Sequence, residues 1–306
     1  LAVSVLILAA FEAAAALGAE TWRLEKGDGW REVTGQGHDK YLSDVAEIKR
    51  LVNLRKADEA EKKLAQLKKD FPEVAGRDLD AYMNGEMLFA RGKYVKAIRK
   101  FDSFLKKYPE SELYGAALDR EYAIGTAFLA GEKRTVLGIF RIKGYEEGEK
   151  IMEKISDRAG DAPIAEKAAL AVARSYEKRV KFNEAYLKWS EISYRWSTGD
   201  VGKEALLGMA RCKQAAYRGP GYDSSSLVSA KSYYEDFRQR YPADAEKLGV
   251  DEKLKQIVEQ LAYKQFSIGR YYQRTDSVQP ANFYYPMVLA NWPESTAAKM
   301  ARQEKK

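Results

Sequence analysis

Histidine and cysteine are almost absent from this sequence of 306 residues, which has one of each, His38 and Cys212. One cysteine excludes an intramolecular disulfide, and one histidine excludes metal sites built from several Cys or His ligands and argues against a Ser-His-Asp triad. The P-loop and the GxGxxG, HExxH and GxSxG motifs are also missing. The sequence therefore predicts a protein that is not an enzyme and holds no cofactor or metal.

The two rare residues themselves have simple interpretations. Cys212 lies in the helical pattern ALLGMARCKQAA and is expected to be a small buried apolar residue. His38 lies in the polar stretch GQGHDK and is expected in a surface loop.

A large excess of one charge is also missing. The sequence has 52 Lys and Arg and 45 Asp and Glu, which gives a moderate net charge of +7. The basic residues are spread among acidic ones, which is typical of a solvated helical surface, so no nucleic-acid partner is predicted. A mild attraction to anionic lipid headgroups remains open, and membrane contact is expected to be peripheral. With 45% hydrophobic and 32% charged residues, the chain is expected to be globular.

The clearest pattern present is the stretch from Lys93 to Pro109, KYVKAIRKFDSFLKKYP. Its aromatic and small residues recur at steps of three and four, which places them on one face of an α-helix that the proline ends. The register occurs six times: a small residue, large residues four and seven positions later, and usually an aromatic residue and a helix breaker at eleven and twelve. The small anchors are Ala60, Ala97, Gly148, Ala185, Ala230 and Ala281.

A first helix precedes each copy, and in the compact copies its small residue lies twelve positions before the anchor, as Gly85 does before Ala97. This arrangement is the tetratricopeptide pattern, whose unit is about 34 residues. The predicted fold is all-α, a tetratricopeptide solenoid of about five to six helical hairpins with a short N-terminal arm that contains tryptophan. Two insertions are expected, at 131–144 in the third copy and at 217–226 in the fifth.

The ends of the chain are expected to differ from the repeats. Residues 1–19 are apolar and end in small residues, which predicts a secretory signal peptide truncated at its start; an uncleaved anchor is the alternative. Residues 20–38 are expected to form an arm, either a small hairpin or extended, that caps the first repeat or binds a partner. The solenoid would occupy 39–301, and 302–306 a charged tail.

Stacked hairpins leave a concave groove lined by their first helices, so the register also predicts which residues face it. In each repeat, the predicted groove residues lie one position after and three positions before the small residue of the first helix. They are Tyr82, Glu86, Tyr122, Thr126 and Arg174. Aromatic rings beside charged groups suit an extended peptide, although the same positions can simply solvate the groove wall.

Three stretches resemble the BamD (YfiO-type) outer-membrane assembly lipoproteins: FRQRYPADAEKLG, RGPGYDSSSLVSAKSYYEDF and AYKQFSIGRYYQRTDSVQPANFYYPMVLANWPESTAAKMA. The likeness covers most of Ala57 to Ala301 and is most specific from Ile268 to Ala298, which resembles the last repeat of that family. The family is lipidated on a cysteine directly after its signal, whereas residues 17–20 here read Leu-Gly-Ala-Glu, so no lipid anchor is expected at that site.

The resemblance implies a scaffold in the periplasm at the inner face of the outer membrane. Its partners would be the outer-membrane barrel insertase, other subunits of the assembly complex, and unfolded outer-membrane clients bound in the N-terminal groove. It also implies that the surface around Arg270, Tyr271 and Arg274 docks the insertase. Two alternatives stay open: another periplasmic tetratricopeptide adaptor for cell-wall coordination or pilus and secretion assembly, and the accessory part of an enzyme whose catalytic domain is missing.

Overall fold

The structure is a computed structural model that describes residues 22–25, 29–32, 35–136 and 140–304. The predicted signal peptide, 1–19, lies outside the described residues. The chain divides into two compact units, an N-terminal unit up to Ile151 and a C-terminal unit from Met152. Over the residues that are described, no helix is both long and apolar enough to cross a membrane.

The N-terminal unit begins with a short antiparallel hairpin of β1 (Trp22–Glu25) and β2 (Gly29–Glu32), the hairpin form of the predicted arm. Three pairs of helices follow, with a second small hairpin inside the third pair. In chain order they are α1 (Gly35–Asn53), α2 (Ala57–Asp70), α3 (Arg77–Ala90), α4 (Tyr94–Lys107), α5 (Tyr114–Leu129), β3 (Lys133–Val136), β4 (Phe140–Lys143) and α6 (Tyr145–Ala159), whose last residues belong to the C-terminal unit.

The C-terminal unit continues the same alternation and ends in one extra helix. Its elements are α7 (Pro163–Lys178), α8 (Phe182–Arg195), α9 (Gly199–Ala215), α10 (Ser225–Arg240), the short α11 (Pro242–Lys247), α12 (Val250–Arg274), α13 (Val278–Asn291) and α14 (Thr296–Glu304). The predicted all-α arrangement of helical hairpins is thus confirmed, and six hairpins lie within the described residues.

One detail of the sequence interpretation is wrong. His38 lies inside α1 and not in a loop, because that helix begins at Gly35 and takes up the last residues of the predicted arm. The insertion predicted in the third copy contains the paired strands β3 and β4.

The predicted register sets the packing of every hairpin. All six anchor residues are buried, and the residues seven positions later are buried too. The residue eleven positions after the anchor is half-buried in each copy. Large residues at these positions fill the cores of the two units, of which Phe101, Phe104, Trp189, Ile192 and Phe237 are at most 1% exposed.

Five of the first helices end in the same hydrogen-bonded turn. In each, a residue with positive φ is followed by one whose N–H donates to the carbonyl oxygen five residues earlier, as Lys56 does to Leu51 at 2.9 Å. This is the Schellman motif. The positive-φ residues are Arg55, Gly92, Gly131, Val180 and Asp276. The third copy shares the turn at Gly131, so it is a true hairpin with a strand insertion after the turn.

Candidate functional site

An apolar cleft lies among the helices of the N-terminal unit, and it is lined mainly by the first helices of three successive hairpins. Its free volume is about 110 Å³. The lining residues come from α1, α2 and α3, from the short turn after α2, and from the start of α5. They are Tyr41, Val45, Ile48, Lys49, Val52, Leu64, Leu67, Val74, Leu79, Tyr82, Met83, Glu86, Leu113, Ala116 and Arg120. Fifteen residues thus enclose the cleft, and only Lys49, Glu86 and Arg120 among them are charged.

The size of the cleft decides what can enter it. Sites for small-molecule ligands and cofactors usually hold about 300–1,000 Å³. An apolar cavity of about 150 Å³ accepts one benzene ring. At about 110 Å³, this cleft has room for one apolar side chain of a partner.

A buried ion pair forms part of the cleft wall. Arg120 donates to both carboxylate oxygens of Glu86, at 2.7 Å from Nε and 2.7 Å from Nη2. The side chains are 13% and 4% exposed. Arg120 also donates to Asn53 Oδ1 at 3.1 Å, and its guanidinium lies 4.2 Å from the ring centroid of Phe89. The Arg120 guanidinium therefore contacts Glu86, Asn53 and Phe89 at once.

Tyr82 and Glu86, two of the predicted groove residues, do line the cleft, but neither is a free binding group. The Tyr82 ring packs against Phe101 and Phe104 with centroids 5.8 Å away in both cases. Burial, followed by the nearby Glu86 carboxylate, raises the pKa of the Tyr82 hydroxyl above its ordinary value. The Glu86 carboxylate already accepts hydrogen bonds from Arg120. Both residues therefore shape the cleft wall, and Tyr82 cannot be truncated without loss of core packing.

The other predicted groove residues lie outside this cleft. Tyr122 is half-buried and Thr126 is exposed, both on α5 beyond its cleft-lining part. Arg174 belongs to the C-terminal unit, where its Nε donates to Glu204 at 2.7 Å and its side chain is 57% exposed. Of the five predicted groove residues, Tyr82 and Glu86 are the two that line this cleft.

A row of aromatic rings marks the predicted docking surface in the last hairpin. Tyr271 is 64% exposed and packs edge-on against Tyr272 at 5.6 Å. Tyr272 stacks on Tyr284 at 5.9 Å, and Tyr284 contacts Phe283, which is 64% exposed. We call Tyr271, Tyr272, Tyr284 and Phe283 the aromatic row.

The two arginines predicted beside this surface lie on the same helix as two of the aromatic residues. Arg274 is exposed and Arg270 is half-buried, and both lie on α12 with Tyr271 and Tyr272. On the second helix of this hairpin, Tyr285 is buried at 3% exposed, Tyr284 is half-buried and Phe283 is exposed.

A polar network that the sequence did not reveal joins three helices of the C-terminal unit at Glu177. Its Oε1 accepts hydrogen bonds from Trp189 Nε1 at 2.6 Å and from Arg211 Nη2 at 3.0 Å. Cys212 lies at the same carboxylate, with Sγ 3.5 Å from Oε1. Burial, followed by the Glu177 charge, raises the pKa of the Cys212 thiol to about 12. The thiol is buried and stays protonated at neutral pH, so it is unreactive.

Comparison with protein families identifies the repeat. The model of the tetratricopeptide repeat family matches residues 82–111, which span most of the second hairpin. Residues 82–111 thus match the tetratricopeptide repeat, and the neighbouring helical hairpins share its arrangement. Tetratricopeptide repeats generally mediate protein–protein contacts, and a helical scaffold of this kind is the coarse role that the fold supports.

Two solved structures align with most of this chain at low sequence identity. One is the C-terminal part of a TPR repeat-containing protein from Cytophaga hutchinsonii, with 17% identity over 83% of this chain and 84% of that one, at a TM-score of 0.39. Another is PilW, a widely conserved type IV pilus biogenesis factor, with 14% identity over 88% and 99% and a TM-score of 0.29. No curated protein matches significantly. Likenesses this weak do not bear on function, so the similarity to BamD stays a prediction.

Proposed function

We propose that this protein is a non-enzymatic periplasmic scaffold of the machinery that assembles outer-membrane β-barrels. Its N-terminal cleft binds unfolded clients, and its C-terminal repeats dock the barrel insertase. The observation that carries the proposal is the cleft itself, apolar in lining and with about 110 Å³ of space. Strands of outer-membrane barrels alternate apolar and polar residues, so an unfolded client offers single apolar side chains at regular intervals. One such side chain fits the cleft.

The finer parts of the proposal rest on different support. The compartment and the insertase partner come from the BamD resemblance of residues 268–298. Exposed aromatic and arginine side chains, the types most enriched at interaction hot spots, are present at Tyr271 and Arg274. The alternative is another periplasmic tetratricopeptide adaptor, for cell-wall coordination or for pilus or secretion assembly, with the same cleft and different partners.

Filling the cleft tests the client site. Ala116 is half-buried and lines the cleft from α5, so Ala116→Trp places an indole in the available space without removing a core side chain. We expect binding of a fluorescent peptide with alternating apolar residues, taken from an outer-membrane barrel strand, to weaken at least tenfold by anisotropy, about 1.4 kcal/mol.

Ala123→Trp provides the control, because Ala123 is exposed on the same helix and does not line the cleft. Its affinity should stay within twofold of the parent protein. Equal affinity of the parent and Ala116→Trp, with both variants folded by circular dichroism, would show that clients bind elsewhere.

The docking surface is tested by affinity purification from solubilised envelopes of the host. The parent chain should recover an outer-membrane barrel with periplasmic domains, and the pair Arg270→Glu and Arg274→Glu should lose it because both charges of this surface are reversed. Recovery of only wall-synthesis or pilus components would instead assign the protein to the alternative class of adaptors.

A further inference from the structure

The strand insertion in the third hairpin exposes apolar side chains to solvent. Phe140 is 61% exposed and Ile142 is 45% exposed, although both lie in the paired strand β4. A small sheet gains stability by burying one face, and neither of these side chains is buried in this chain. These two residues are therefore available to a partner.

Cationic side chains surround the exposed apolar pair. The register of the sheet places Lys133 opposite Lys143, and Arg134 opposite Ile142. Because side chains alternate between faces along a strand, Phe140 and Ile142 share one face, whereas Arg141 and Lys143 share the other. Lys133, Arg141 and Lys143 are all exposed, and the one acidic residue within 132–143 is Glu132.

The base of the insertion is fixed to the helices. Arg134 forms an ion pair with Glu147 of α6 at 3.5 Å. The N–H of Gly144 donates to the carbonyl oxygen of Glu132 at 2.9 Å, and Lys143 Nζ lies 5.6 Å from the ring centroid of Tyr145. The hairpin is thus anchored at the end that carries Lys133 and Lys143, and Phe140 lies at the far end of the sheet.

We propose that the β3–β4 hairpin is a membrane-contact site that places Phe140 and Ile142 in the interface of an anionic lipid bilayer. Lys143 lies three positions after Phe140, a distance of about 10 Å along a strand. Interfacial segments bury their apolar side by about 5–10 Å while cationic groups remain among the headgroups. The spacing of apolar and cationic residues along β4 agrees with this depth.

Charge complementarity favours a lipid surface over a protein partner. Three exposed cations, Lys133, Arg141 and Lys143, lie within 132–143 beside one acid, Glu132, and an anionic surface attracts each Lys or Arg near it by about 1 kcal/mol. An acidic protein would satisfy the charges but would also need a pocket for two apolar side chains that point to one side. The proposal is independent of the client cleft, since neither Phe140 nor Ile142 lines it.

An environment-sensitive fluorophore tests the site in the full chain. Phe140→Cys labelled with NBD should brighten with vesicles of phosphatidylcholine containing 30% phosphatidylglycerol, and not with phosphatidylcholine alone. Leu187→Cys, labelled in the same way at a position that is 67% exposed, is the control and should stay unchanged. The native Cys212 is buried and does not take up the label.

Charge reversal supplies a second, matched measurement. Arg141→Glu with Lys143→Glu should weaken vesicle binding, followed by the NBD signal at position 140, about 30-fold or more, since two attractions of about 1 kcal/mol are lost. Lys96→Glu with Lys100→Glu changes the net charge equally on the exposed face of α4 and should have little effect.

The proposal is overturned if the label at 140 does not respond to anionic vesicles, or if it responds equally to neutral ones. An equal response at 187 overturns it as well, because contact would then not be confined to the hairpin. Brightening at 140 only with acidic proteins would assign the hairpin to a protein partner. If vesicles bind through the apolar residues 1–17 instead, the NBD fluorescence at position 140 does not increase, and this result contradicts the proposal.

Discussion

Replacement of Arg120 by methionine is expected to lower the free energy of unfolding of the N-terminal unit by about 3–5 kcal/mol. The substitution removes the partner of a carboxylate that is only 4% exposed. Glu86 then remains in the apolar cleft wall without its two 2.7 Å hydrogen bonds to the guanidinium. Urea unfolding followed by circular dichroism, with hydrogen exchange of residues 77–129, measures the loss.

Arg91→Met is the matched control. Arg91 also pairs with two acids, Asp58 at 3.1 Å and Glu61 at 2.9 Å, but Asp58 and Glu61 are 88% and 46% exposed. Ion pairs at such exposed positions contribute about 0–1 kcal/mol. A loss at Arg120 no larger than that at Arg91 would contradict the buried state of the Glu86–Arg120 pair.

A second substitution separates a lost charge partner from lost packing. Glu86→Leu in the Arg120→Met background removes the unpaired carboxylate and leaves apolar side chains at both positions, so it should recover most of the stability. A double variant as unstable as Arg120→Met would show that the loss comes from packing.

The helical hairpins were predictable from sequence because their packing depends on local spacing. A small residue at Ala97 and large residues at Phe101 and Phe104 lie on one helical face whatever the rest of the chain does. The breaker residues were equally informative, since α4 ends at Lys107, directly before Tyr108 and Pro109. The strands β3 and β4 were not predicted, although Phe140 to Lys143 alternates apolar and basic residues, a pattern typical of a strand.

The state of the site residues was not predictable in the same way, since it depends on partners in the next repeat. Glu86 was assigned to peptide recognition because its register position faces the groove, but its cation is 34 positions later. Glu177 and Arg211 show the same separation of 34. An acid and a base one repeat length apart on successive first helices are a sequence signal that would have identified both pairs.

The second large loss of stability is expected from Gly208→Ala in α9, a substitution that adds a single methyl group. A Cβ atom at this position would lie 2.5 Å from Cδ2 and 2.5 Å from Cε2 of Trp189. The indole is completely buried, and its Nε1 donates to Glu177, so the ring is held against the glycine. Overpacking of a rigid core costs about 3 kcal/mol at the upper end, and alanine returns about 1 kcal/mol of helix propensity. The net loss should be about 2 kcal/mol.

The control is Gly115→Ala, because a Cβ atom at this helical glycine meets nothing within 4 Å. It should raise stability by about 0.5–1 kcal/mol through helix propensity alone. Urea unfolding followed by tryptophan fluorescence measures the Gly208 loss, since Trp189, Trp196 and Trp292 belong to the C-terminal unit. The double variant of Gly208→Ala with Trp189→Phe should cost less than the sum of the two single variants, because the smaller ring leaves room for the methyl group. Additive losses would show that the close contact of Gly208 with Trp189 does not limit stability.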